Sequence, residues 1–148
     1  MKGLLHLLFL TFVPGVELRG SLPLSILYYH NNPFASFFVL TAFNILIVPL
    51  VFLLWDVALF LADKIKIIDT YLKKLRKRSE RAVEKYGFWA LTLFVAVPLP
   101  GTGAYSGAFI AELFGMDKKK AFVSVSIGLL IAGFLVMLMS MGAFSLKK

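Results

Sequence analysis

Glu17 and Arg19 stand two residues apart in FVPGVELRGSLP, residues 12–23, an otherwise apolar stretch bounded by Pro14 and Pro23. A carboxylate and a guanidinium can take up a proton, hold a charged ligand or pair with each other. At the bilayer centre an ionised side chain costs at least about 2.5–3.5 kcal/mol on insertion scales, so it needs a partner, a wet path or a way to the surface. Positions two apart do not share a helix face. An extended or turned backbone after Pro14-Gly15 is therefore needed for both to point into one cavity. Three readings stay open: a substrate- or proton-responsive Glu17 with Arg19 orienting it or binding an anionic part of a substrate, an ion pair that locks the segment, or a pair hydrated near the outer interface.

Four further polar residues complete a candidate substrate or proton path. Asp56 falls seven residues before Asp63, within the inner third of a long apolar run, and Lys64 or Lys66 would be its structural partner. Glu112 lies five residues before Asp117, near the level expected of headgroups, where it could couple to transport. Asn44 lies nearer the middle of its run, where an amide can bridge helices or satisfy carbonyls freed by a helix break. Tyr105, among glycines, could offer a hydroxyl to substrate or fill a gap.

Other chemistries lack their residues. Cysteine is absent, which excludes disulfides, thiol nucleophiles and cysteine-ligated metals. His6 and His30 are the only histidines, and their spacing assembles no metal site. Neither is placed to act as base for Ser106, and a paired-aspartate protease would need a second aspartate within a span beside Asp56. No enzyme, cofactor or metal is expected. The net charge of +8 does not imply nucleic acid, because nine of the sixteen basic residues lie between Lys64 and Lys85 and three more in DKKK at 117–120. Such clusters flanking apolar runs are what cytoplasmic retention of basic residues produces.

The elements that must position these residues are membrane elements. The 148 residues are 59% hydrophobic with mean hydropathy +0.85, against roughly 45–50% apolar in a soluble domain. Residues 3–30 are apolar but broken at Pro14-Gly15 and again at Gly20 to Pro23, and each half is too short to cross a core of about 30 Å. A hairpin that enters and leaves on one side fits best. Residues 33–61 are long enough to span, with a kink expected at Pro49. From 63 to 86, Ile65, Ile68, Leu72, Leu75, Ala82 and Tyr86 recur at helical steps among lysines and arginines, predicting an amphipathic helix at the cytoplasmic surface. Residues 87–116 repeat the first pattern with breaks at Pro98 and Pro100, and residues 121–144 can span again.

Broken hairpin, span, basic helix, broken hairpin, span is an order that places both basic clusters on one side. Aligning Pro14-Gly15 with Pro100-Gly101 gives an offset of 86 residues. The expected fold is an all-α membrane domain over 1–148: a first repeat at 1–62, a cytoplasmic amphipathic helix at 63–86 and an inverted second repeat at 87–148. Inverted repeats with discontinuous helices are how many secondary transporters build a site at midmembrane. In GTGAYSGA, Gly101, Gly103 and Gly107 with Ala104 and Ala108 permit close backbone approach. Carbonyls left over at Pro98 and Pro100 must face protein or a wet cavity.

VPGVELRGSLP and VPLPGTGAYSG together resemble the putative small multidrug export protein family over nearly the whole chain. The resemblance carries to Pro14, Glu17, Arg19, Gly20 and Pro23 in the first motif and to Pro98, Pro100, Gly101, Gly103, Tyr105 and Gly107 in the second. It implies an integral membrane export protein. More distantly, paired hairpins followed by spans are similar to the DedA, or VTT-domain, proteins, which implies movement of lipids or lipid-linked phosphates. DedA second hairpins commonly carry an arginine near the proline, whereas residues 96–111 here carry no charge. The expected function is a multi-pass cell-membrane transporter of a hydrophobic or amphiphilic molecule, with a lipid translocase and a non-transporting scaffold as alternatives. Membrane lipids are its expected surroundings, and a homo-oligomer, a dimer first, is expected because four membrane elements enclose little.

Overall fold

The computed structural model describes residues 3–62 and 66–146. Among them every regular element is a helix: α1 (Leu4–Phe12), α2 (Glu17–Pro23) continued by a π-helical turn (Leu24–Tyr28), α3 (Pro33–Ala62), α4 (Lys66–Ala96), α5 (Ala104–Leu113) and α6 (Lys118–Leu146). Two helices are long and apolar enough to cross a membrane, Pro33–Phe60 with mean hydropathy 2.7 and Lys118–Ala143 with 2.5. Only 39% and 44% of their most apolar stretches are buried. Their uncovered side chains include Phe38, Leu46, Leu53, Phe134 and Met139, an outer surface suited to hydrocarbon and not to water.

The two long helices run antiparallel, as their cores show. One core gathers the second half of α3 (Ile47, Val48, Phe52), Val95 of α4, Ala104 and Ala108 of α5 and the first half of α6 (Ala121, Val125, Leu129). The other gathers Leu7 of α1, Leu18 and Leu22 of α2, Phe37 and Leu40 from the first half of α3, and Val136 and Met137 from the second half of α6. Each short-helix unit is therefore seated at one end of the α3–α6 pair. Buried positions of α6 step by three and four through Ala121, Ser124, Val125, Gly128, Leu129, Ala132, Gly133, Val136, Met137 and Ser140. Small residues in that seam set the spacing: a Cβ on Gly128 would stand 2.7 Å from Val95 Cβ and 2.8 Å from the Thr92 carbonyl.

Two boundaries differ from those read in the sequence. The chain does not break again at Gly20 to Pro23: α2 passes through Pro23 into the π-helical turn, in which the proline's missing N–H is absorbed by a widened ladder. Helix α3 runs through Pro49 as one helix, as expected of this stretch. The basic segment does not end at Tyr86. Helix α4 carries it without interruption into the apolar limb ending at Ala96, since nothing between Tyr86 and Ala96 stops a helix. Residues 63–65 of the expected amphipathic helix lie outside the described residues.

Candidate functional site

The break between α1 and α2 falls at Pro14-Gly15, and that between α4 and α5 spans Pro98 to Gly103. Gly15 and Gly101 both turn with positive φ, 89° and 86°, and both would have open space around a Cβ. Each break leaves helix-end amides and carbonyls without helical partners, which in an apolar medium must be satisfied by side chains. The two breaks satisfy each other.

Glu17 begins α2 with φ 42°, a left-handed backbone uncommon for a residue with a side chain. It is 3% exposed, and its carboxylate accepts from the Ala104 amide at 2.8 Å and the Tyr105 amide at 3.4 Å. These are the first two residues of α5, whose cap position is Gly103, with no side chain to offer. Glu17 thus supplies the cap from the other unit, where a negative charge also complements the helix dipole. The approach depends on Gly103, where a Cβ would fall 1.7 Å from Glu17 Oε2.

Arg19 reaches the opposite end of the same break. Its Nη2 donates toward the carbonyls of Val95 (3.1 Å), Val97 (3.1 Å) and Thr102 (3.0 Å) and the Thr102 hydroxyl (2.7 Å). Pro98 and Pro100 have no N–H to close the end of α4, so the guanidinium collects what the helix leaves over, at the end its dipole makes negative. Tyr105 returns the exchange, its hydroxyl donating to the Phe12 carbonyl at the end of α1 at 2.6 Å. Among the described residues Glu17 and Arg19 form no ion pair with each other; each is spent on the opposite break. Gly107 serves the same meeting, since a Cβ there would stand 2.7 Å from Val95 Cγ2. On Gly20 a Cβ would meet the Val16 side chain at 2.4 Å.

Asp56 and Glu112 belong elsewhere. Glu112 is eight residues along α5 from Ala104, roughly 12 Å at about 1.5 Å per residue. Lys118 Nζ sits 2.5 Å from Asp56 Oδ2 and 3.5 Å from Glu112 Oε1, tying α3, α5 and α6. Arg76 of α4 adds a bond to the Glu112 carbonyl at 2.7 Å. The Asp56 partner is therefore Lys118; of the partners expected in sequence, Lys64 lies outside the described residues and the Lys66 side chain is not described. Asn44, fully buried midway along α3 between its two core-forming stretches, has no hydrogen-bond partner on Oδ1 or Nδ2 among the described residues, and neither has the Thr41 hydroxyl one turn earlier. No group of three metal-ligating residues occurs among the described residues.

Sequence reasoning missed Thr102, Lys118 and Arg76. Thr102 stands inside PLPGTG, where a hydroxyl beside two prolines is a signal for spare carbonyls, and it also donates to the carbonyls of Val97 (2.6 Å) and Leu99 (2.9 Å). Lys118 and Arg76 were hidden among basic residues assigned to topology. The model of the family described as "Putative small multi-drug export protein" matches residues 17–135, more than half of the chain. No curated protein and no solved structure matches it.

Proposed function

Since the chain belongs to the putative small multi-drug export protein family, we propose that it exports a hydrophobic or amphiphilic small molecule across the cell membrane through a gate formed where two re-entrant hairpins meet. In this reading α1–α2 and the end of α4 with α5 are the hairpins of two inverted repeats, closed by the spans α3 and α6. Support comes from the antiparallel long helices, the short units at opposite ends and the matching left-handed glycines 86 residues apart. The basic half of α4 faces the cytoplasm by the positive-inside rule, and a homodimer encloses the path.

The observation that carries the reading is the reciprocal capping of the two breaks by Glu17, Arg19 and Tyr105. A latch made of a carboxylate on helix amides is sensitive to protonation. Neutral Glu17 loses its charge interaction with the start of α5 and releases part of its acceptor capacity. An arriving cation, or a proton, competes for the same carboxylate, and Arg19 holds the carbonyl end until the hairpins part. Asn44 adds a buried amide with unspent polar atoms at mid-span, the kind of group that a substrate or water satisfies in another state.

A scaffold reading has one observation in its favour: among the described residues, every bond of Glu17 and Arg19 goes to backbone or to Thr102. Reconstituted vesicles separate the two. With an imposed pH gradient and a fluorescent hydrophobic cation, the unsubstituted protein moves the dye in a gradient-dependent manner, Glu17→Gln loses the gradient dependence and Arg19→Gln loses flux. Full rates in both folded variants would make the polar set structural. Gradient-independent transfer of a fluorescent phospholipid would assign lipid translocation instead.

A further inference from the structure

The flank between α4 and α5 holds two adjoining cavities away from the hairpin junction. One, about 720 Å³, has six charged residues among apolar ones in its lining, drawn from α4, the α5–α6 turn and the start of α6. The other, about 340 Å³, is almost wholly apolar, with Ala90, Leu91, Phe94, Ile110 and Ala111 in its walls. Val83, Phe114 and Met116 line both. The volumes fall in the roughly 300–1,000 Å³ range of small-molecule sites. Their junction coincides with the change along α4 from the charged segment ending at Lys85 to the apolar limb from Gly87, marked by exposed Tyr86 and Trp89, residues that favour the headgroup level. A molecule filling both cavities has a polar head at that level and an apolar tail at hydrocarbon depth.

The sign of the head follows from the one charged lining residue that is partly buried. Of Arg76, Lys77, Glu80, Glu84, Asp117 and Lys120, three cations and three carboxylates, Arg76 alone is half-buried and the other five are exposed. It lies along Gly115, where φ is +69° and a Cβ would be 2.9 Å from Arg76 Cδ. Its Nη2 is used on the Glu112 carbonyl, while Nε is buried without a partner among the described residues. An unpaired buried guanidinium donor calls for an acceptor oxygen. Glu80, Glu84 and Asp117 are exposed, as are Lys77 and Lys120, so these charges balance at the rim and Arg76 decides the head; Asp117 Oδ1 also accepts from the Lys120 amide at 3.0 Å.

We propose that this flank binds a membrane phospholipid, its phosphate on Arg76 with Lys120 alongside and one acyl chain in the apolar groove. The site goes beyond the hairpin gate and does not depend on it. Native mass spectrometry of the full chain in detergent tests it with phosphatidylglycerol and with diacylglycerol of the same chains, which lacks the phosphoglycerol headgroup. Phosphatidylglycerol is expected to remain bound about tenfold more tightly than diacylglycerol, in keeping with one charge-assisted hydrogen bond. Arg76→Gln and Lys120→Gln should each reduce that preference, and Ala90→Trp should displace the lipid by filling the groove. Because Arg76→Gln also loses the bond to α5, the deciding variants are those at Lys120 and Ala90, checked for unchanged melting. Equal retention of the two lipids, or full phosphatidylglycerol retention in both of those variants, overturns the proposal, as does displacement by tetraphenylphosphonium in preference to phosphatidylglycerol.

Discussion

A methyl group on residue 103 would stand 1.7 Å from Glu17 Oε2 and 2.4 Å from its Cδ, so Gly103→Ala must push the carboxylate off the α5 amides. Loss of melting stability of about 1–3 kcal/mol is expected from overpacking at such a contact. Glu17→Ala removes the obstructing group, so the double variant should be less destabilised than the sum of the singles by at least about 1 kcal/mol, read from a thermal double-mutant cycle in detergent. Additive effects would mean that the two residues do not touch. Asn44 makes the opposite prediction. A buried amide with neither polar atom bonded costs about 1–3 kcal/mol, so Asn44→Leu should raise the melting temperature while lowering export, as expected where function retains an unfavourable group. A stabilised variant with unchanged export would remove Asn44 from the path.

At the scale of elements, the two breaks are built alike. Gly15 and Gly101 have free space around them but left-handed backbones, so alanine at either is strained without any clash, by about 1–2 kcal/mol. Gly142, inside α6 with no neighbour within 4 Å among the described residues and no positive φ, is the control: Gly142→Ala should be neutral or gain up to about 1 kcal/mol from helix propensity. Melting curves of the three variants check this, and a loss at Gly142 equal to the others would refute the backbone explanation. The far end of α5 is secured differently. Lys118→Met leaves Glu112, 6% exposed, without its counter-charge, and should lower the melting temperature. Adding Glu112→Gln should recover much of the loss, because a neutral amide is cheaper than an unpaired charge in that position.

For the whole molecule, the absence of cysteine makes topology directly measurable. Single cysteines at positions 2 and 31 should react with an impermeant maleimide from the same side, and Lys74→Cys and Lys119→Cys from the other. Labelling of 2 and 31 from opposite sides would refute the proposed first hairpin in favour of an ordinary span. Cross-linking in lipid followed by mass measurement reports on the expected dimer.

Much of this architecture is legible in one chain of letters because it is set by local or one-dimensional physics. Long apolar runs become α3 and α6 whatever surrounds them, proline followed by glycine stops α1, and two prolines in PLPG stop α4. The family was carried by VPGVELRGSLP and VPLPGTGAYSG for the same reason: those residues encode breaks. Where the outcome depended on what lay opposite, sequence could not decide. Pro23 is absorbed in a π-helical turn and the basic segment runs on into the apolar limb of α4, because a helix boundary is a contest between local propensity and packing. Glu17 and Arg19 invited reading as a pair, since neighbours in sequence look like neighbours in charge. Only the fold brings Ala104 and Val95 beside them, and a helix amide or an orphan carbonyl is a better partner than a charge two residues away that faces elsewhere. Long-range partners such as Lys118 for Asp56 are set by the antiparallel packing of α3 and α6, a geometry that no spacing along the chain contains.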